Sequence, residues 1–188
     1  MQLVNAKGLF ESGWKLAAVL FLLSFAPQVS ANTVAANASN VRVVMELPSP
    51  LEPGEFAWDT EGATAGPLWI VVDLEVARIY VYRGGVEIGR AAVNLGTDRK
   101  PTPTGTFPIL QKKVDHTSNI YVGAPMPYMM RLTWTGIAIH GSNVDPGAVT
   151  RGCVGVPVDF AEKLYPLAGL GTKVTVTRNW MPHIYRRA

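Results

Sequence analysis

The sequence predicts a mainly β protein: a single β-sandwich or barrel-like domain carrying one or two short helices. Three observations carry this reading. Short runs rich in Val, Ile, Tyr and Trp recur from residue 68 onward. Glycine and proline, 18 and 14 of the 188 residues, punctuate those runs at close spacing. Only one segment, residues 157–167, repeats apolar side chains at helical intervals. The chain is 48% hydrophobic, enough to build a core, so wholesale disorder is excluded. Its glycines follow no Gly-x-y period, which excludes collagen, and no solenoid or propeller repeat is present.

Residues 1–31 read as a secretory signal peptide. Lys7 and Lys15 precede an 11-residue apolar stretch, LAAVLFLLSFA. A membrane-spanning helix needs roughly 20 apolar residues, so the stretch suits a signal core better than a retained anchor. Val29, Ser30 and Ala31 then supply small side chains for a cut. An exported protein, working in the periplasm or cell envelope, is the expectation. The membrane would be met only through this segment.

Residues 32–66 are rich in Ala, Asn, Pro, Gly and Glu. They are expected to form an extended lead-in, with Phe56 and Trp58 docking on the domain, or else a loose linker. Residues 68–72 (LWIVV) and 77–82 (ARIYVY) are two strands joined by a turn at Asp73, Leu74 and Glu75. Arg83, Gly84 and Gly85 make a second turn, and 86–95 resumes the strand pattern. Further strands are expected at 104–110, 136–140 and 173–177. The helix at 157–167 starts on Pro157, a residue suited to a first helical turn. Phe160, Leu164 and Leu167 share one of its faces. Residues 179–188 are expected to be a basic tail.

Charge and cysteine content narrow the partners. Lys and Arg number 17 against 14 Asp and Glu, a net charge of only +3. No basic run is long enough to grip a phosphate backbone, so nucleic acid is not an expected partner. One Cys and three scattered His offer no short-spaced ligand pair, so no metal site is expected. His116 and His183 read as surface residues.

The chemistry is expected between residues 137 and 157. The strand holding Ile137, Ala138 and Ile139 ends in His140, Gly141 and Ser142. Thirteen residues after His140 comes Cys153, preceded by Thr150, Arg151 and Gly152. A nucleophilic thiol needs a base, a group that fixes the base, and donors for an oxyanion. His140 can serve as the base, and the amides of Gly152 and Cys153 as the donors. Arg151 and a charged His140 would lower the thiol pKa. A lone Cys is as readily a buried apolar residue. The weight shifts toward a nucleophile because an exported chain exposes idle thiols to oxidation.

These residues resemble the catalytic domain of the L,D-transpeptidases, exported cysteine enzymes that remodel peptidoglycan. The family signature, His-Gly followed by Ser/Thr-x-Gly-Cys, is matched by His140 and Gly141 and by Thr150, Arg151, Gly152 and Cys153. Thr102, Pro103, Thr104, Gly105, Thr106 and Phe107 resemble its TPTGxF turn. The stretch from Ala124 to Tyr128 and the run Arg131, Leu132, Thr133, Trp134 resemble the loop over its site. The resemblance covers residues 67–178. It implies Cys153 as nucleophile, His140 as general base, and a backbone carbonyl of Gly141 or Ser142 orienting the imidazole. It implies Tyr128 and Met126 lining a substrate groove, with Thr150, Arg151 and Arg131 beside it. It implies no cofactor, and peptidoglycan stem peptides as substrate. The acceptor would be an amine on a second stem, giving a 3→3 cross-link, or an outer-membrane protein or lipoprotein. Hydrolysis, as an L,D-carboxypeptidase, and non-catalytic peptidoglycan binding are the alternatives. Two positions depart from the pattern. Arg151 stands where many members have His, and Gly155 where many have Arg. An arginine at 155 would be placed to hold a substrate carboxylate, a task that Arg131 or Arg151 would have to take over.

Overall fold

A computed structural model of the chain describes Ala38 and residues 40–63, 65–121 and 123–185. The expected signal segment, 1–31, and the last three residues of the expected tail lie outside the described residues. No described helix is long and apolar enough to cross a membrane.

Two sheets and two short helices make up the fold. The elements run β1 (Phe56–Trp58), β2 (Leu68–Asp73), β3 (Arg78–Arg83), β4 (Val86–Ala92), β5 (Gly105–Pro108), β6 (Gln111–Lys113), β7 (Met129–Arg131), β8 (Ala138–Gly141) and β9 (Val154–Val156). Helix α1 (Val158–Leu164), β10 (Lys173–Thr177) and helix α2 (Trp180–Tyr185) complete it. The larger sheet has the order β1-β4-β3-β2-β10-β5 and the smaller β6-β7-β8-β9. Pairing is antiparallel except between β10 and β2 and between β8 and β9.

The unbroken apolar reading of β2 and β3 has a simple cause: the larger sheet is covered on both faces. Ile70, Val72, Ile79 and Val81 point into the main core, where Val154, Val156 and Phe160 meet them. Their strand neighbours Val71, Tyr80 and Tyr82 point the other way, into a second cluster around the fully buried Trp180. Trp69 stacks on Tyr82 in this cluster, and the Trp180 indole donates to the Tyr82 hydroxyl at 2.9 Å. Residues 180–185 are therefore a docked helix and not a tail. Asp73 fixes its start: the buried carboxylate accepts from Asn179 N at 3.0 Å and Trp180 N at 2.6 Å. That satisfies amide donors a helix start otherwise leaves unpaired.

The lead-in also docks. Phe56 and Trp58, in β1, meet Phe160 edge-on with ring centroids 5.8 and 5.3 Å apart. Gly89 makes room, since a Cβ there would lie 2.6 Å from the Trp58 ring. Helix α1 is shorter than the sequence suggests, with Pro157 at its N-cap and Leu167 beyond its end. Residues 104–110 give a strand of only four residues, and β6, β7 and β9 are three-residue strands with too little pattern to read.

The chain leaving β4 ties the two sheets together, with Thr150 N also donating to Leu95 O at 2.8 Å. Asn94 and Gly155 exchange two backbone bonds, Asn94 N to Gly155 O at 2.8 Å and Gly155 N to Asn94 O at 2.9 Å. Strand β9 is thus paired on one side with β8 and on the other with the chain leaving β4.

Candidate active site

Strand register places the thiol and the imidazole together. In the parallel pair, Ile139 faces Val154 and His140 faces Gly155. Ile139, Val154 and Val156 are completely buried in the core. Side chains alternate along a strand, so Ala138, His140 and Gly155 emerge on the opposite face, and Cys153, just before β9, packs there with Met126, Met129 and Ala138. Cys153 then lies one strand across and two positions along from His140. That is a Cα separation of roughly 8 Å, and the thiol itself donates to Gly136 O at 3.6 Å. Both line one open cleft of about 680 Å³.

His140 is held by its own neighbour. Its Nδ1 lies 2.9 Å from Gly141 O. A carbonyl only accepts, so Nδ1 carries the hydrogen and Nε2 keeps a lone pair. Burial pushes the imidazole pKa below its ordinary value. The Gly141 bond opposes this, and the charge of His116 adds to it. Burial likewise pushes the Cys153 thiol up, against a backbone bond from Ala138 and the charge of Arg131. Burial thus favours the uncharged form of each group, against the thiolate and charged imidazole considered from the sequence. Arg151 does not assist the thiol. Its guanidinium lies over the Tyr121 ring, 4.2 Å from the centroid.

The approach to Cys153 is built from glycines and a threonine. Gly152 has φ of 110°, a conformation L side chains rarely adopt. Thr150 Oγ1 ties the turn, donating to Cys153 O at 2.6 Å and accepting from Gly152 N at 3.2 Å. Gly96 supports it from behind: a Cβ there would sit 2.1 Å from Lys100 O and 2.9 Å from the Gly152 Cα. Thr102 is buried and accepts from Gly96 N at 2.9 Å. The turn resembling TPTGxF thus forms the back wall, and Lys100 and Pro101 line the cleft.

Of the expected residues, Cys153, His140, Ser142, Thr150, Arg151 and Met126 line this cleft. Gly141 and Gly152 support it through backbone. Tyr128 departs from expectation. Its φ of +55° swings the ring away from the cleft and toward Tyr165, at 5.8 Å, and the Glu162 carboxylate. Arg131 lines a smaller adjoining trough of about 220 Å³ with His116, Met129, Gly136 and Ala138. His116, expected as a surface residue, is therefore part of the site's surroundings. Its only sequence signal is the polar VDHTSN loop, which shows nothing of where that loop folds back. Among the described residues, no group of three His, Cys, Asp or Glu is placed to hold a metal ion.

Comparison with known proteins gives one consistent result. Residues 67–176 match the family described as the L,D-transpeptidase catalytic domain. An L,D-transpeptidase of Stackebrandtia nassauensis is 23% identical, with a TM-score of 0.54, covering 64% of this chain and 62% of that one. A cysteine-to-serine mutant of the Enterococcus faecium L,D-transpeptidase is 26% identical, with a TM-score of 0.52, covering 60% and 50%. An L,D-transpeptidase of Mycobacterium tuberculosis H37Rv is 25% identical, with a TM-score of 0.51, covering 58% and 57%. The match thus spans about half to three fifths of those chains. No curated protein sequence matches. With the family match extending over more than half of its length, this chain belongs to the L,D-transpeptidase catalytic domain family.

Proposed function

We propose that the protein is an exported L,D-transpeptidase acting through a Cys153 thioester on peptidoglycan stem peptides. The observation that carries this reading is that His140, on β8, and Cys153, immediately before the neighbouring β9, line one cleft. The donor is a tetrapeptide stem, entered at the carbonyl of its third residue. His140 Nε2 takes the Sγ proton as sulfur bonds to that carbonyl carbon. The Cys153 amide stabilises the oxyanion, joined by Gly152 N–H as it releases Thr150 Oγ1. Such donors are worth about 3–4 kcal/mol of barrier. Collapse breaks the C–N bond, and the imidazolium returns its proton to the departing D-alanine amine. An acceptor amine then attacks the thioester, giving His140 a proton that returns to sulfur. A second stem yields a 3→3 cross-link, and an envelope protein amine yields anchoring. Export rests on the pattern of residues 1–31 and places the reaction in the periplasm or cell envelope.

The test is mass spectrometry of the full chain after incubation with a carbapenem, and of muropeptides after incubation with a tetrapeptide donor. A stable adduct on the parent, none on Cys153→Ala, and a cross-linked dimer product are expected. Tripeptide alone would assign a hydrolase. A folded parent with neither adduct nor product would overturn the enzymatic reading.

A further inference from the structure

We propose that a second cavity, on the outer face of the larger sheet, binds an uncharged, apolar peptide segment of another protein in extended form. This goes beyond the acyl transfer proposed above, because the cavity shares no lining residue with the cleft of Cys153 and His140. It holds about 710 Å³, comparable to that cleft. Its floor is β3 and β4, one wall is the segment 45–51, and the other is the start of α2. The segment and α2 both lie outside residues 67–176, so the cavity is made by what this chain adds to the family domain.

The floor carries open donors. Tyr80 and Arg90 face each other across β3 and β4, with the guanidinium 5.2 Å from the ring centroid. Tyr80 is only 3% exposed, and its hydroxyl makes no hydrogen bond among the described residues. No fully buried side-chain oxygen or nitrogen among those residues lacks a partner, so this hydroxyl keeps access to the cavity that Tyr80 lines. Burial pushes its pKa up, which keeps it a proton donor. Arg90 is held by Glu87 through Nε and Nη2, at 2.7 and 2.8 Å, and Nη2 also donates to Met45 O at 3.0 Å. Its Nη1 makes no hydrogen bond among the described residues.

The wall formed by residues 45–51 is pinned at its two ends. Met45 N donates to Glu87 Oε2 at 3.0 Å, and the Arg78 guanidinium donates to Leu51 O. Between these pins, residues 46–50 make no hydrogen bond among the described residues. Pro48 and Pro50 keep the arch out of helix. Glu46, Leu47 and Ser49 thus offer unpaired amides along the cavity, beside unpaired carbonyls. These features select the occupant. Donors on the floor need an acceptor. The charges already balance, with Arg78 and Arg90 against Asp73 and Glu87, so no free counter-charge awaits a carboxylate. Leu47, Leu51, Val76 and Met181 supply apolar surface. An extended apolar peptide meets all of this: its carbonyls take the floor donors, and its main chain pairs with the arch as an added strand does.

The experiment is calorimetry and amide NMR on the full chain, with the blocked tripeptide acetyl-Leu-Ala-Leu-amide as probe and its free-acid form as control. Expected is saturable binding of the amide, with the backbone amides of Glu46, Leu47 and Ser49 shifting together. The acid should bind about threefold or more weakly, since it brings a charge to a site without a free counter-charge. Tyr80→Phe keeps the ring beside Arg90 and should weaken the amide about three- to tenfold, the worth of one hydrogen bond. Val76→Trp fills the cavity from a half-exposed turn and should abolish binding in a folded chain. Cys153→Ala should bind as the parent does. No saturable binding, tighter binding of the acid, undiminished binding by Tyr80→Phe or Val76→Trp, or shifts confined to the cleft around Cys153 would overturn the proposal.

Discussion

Replacing Gly152 with alanine tests how tightly the nucleophile's turn is built. Two costs arise. The first is backbone: φ at this position is 110°, and holding an L residue there costs about 1–3 kcal/mol. The second is steric: the new Cβ would lie 2.8 Å from Ile137 Cδ1 and 3.4 Å from Pro101 O. The isoleucine methyl is the end of a flexible side chain, and turning it off its rotamer costs about 0.5–1.5 kcal/mol. Together these predict a loss of about 2–4 kcal/mol. At about 2–4 °C per kcal/mol for a chain of this size, the melting temperature should fall by about 5–12 °C. Differential scanning calorimetry reads this directly. Repeating the substitution in an Ile137→Ala background separates the two costs. The clash disappears there and the backbone strain remains, so at least half of the loss should persist. A Gly152→Ala protein melting within about 1 °C of the parent would refute the reasoning, because it would mean that the turn relaxes without cost.

Two further outcomes are expected. Because burial raises the Cys153 thiol and lowers the His140 imidazole, alkylation of the resting protein by iodoacetamide should rise about tenfold per pH unit from 6.5 to 8.5; a rate flat across neutral pH would show an ion pair instead. Asp73→Ala removes the acceptor of three backbone amides, those of Glu75, Asn179 and Trp180, and should cost about 3 kcal/mol in urea denaturation; a loss under about 0.5 kcal/mol would show that water replaces the carboxylate.

The strands with strong local patterns were legible in the sequence. Residues 68–72 and 77–82 are apolar on both faces because both faces are covered, and no other arrangement suits such runs. That Cys153 and His140 share one cleft was legible through spacing and motif. The three-residue strands β6, β7 and β9 were not, since their positions are set by neighbours and not by their own composition. Trp180 was misread for a related reason. Its helix has one turn and a half of sequence, and its partners Trp69, Tyr82 and Asp73 lie about a hundred residues away. The burial of the site was not legible. The sequence shows Arg151 next to Cys153, but only the fold shows Arg151 spent on Tyr121 and the thiol desolvated.

The strand that follows the nucleophile is bonded along both flanks, to β8 and to Asn94, so its backbone cannot shift without breaking hydrogen bonds on both sides. The segment across the slot is put together differently. Its amide bonds close largely upon themselves: Tyr128 to Val114, Met126 to His116, Ser118 to Ala124. What fastens it to the floor is the bond from Gly141 N to Pro127 O at one end and Arg151 resting on Tyr121 at the other. Lifting this segment about its Pro127 attachment therefore costs the cation–ring contact, about 0.5–1 kcal/mol, together with the apolar seat of Met126 on Met129, Ala138 and Cys153, but it unravels no strand.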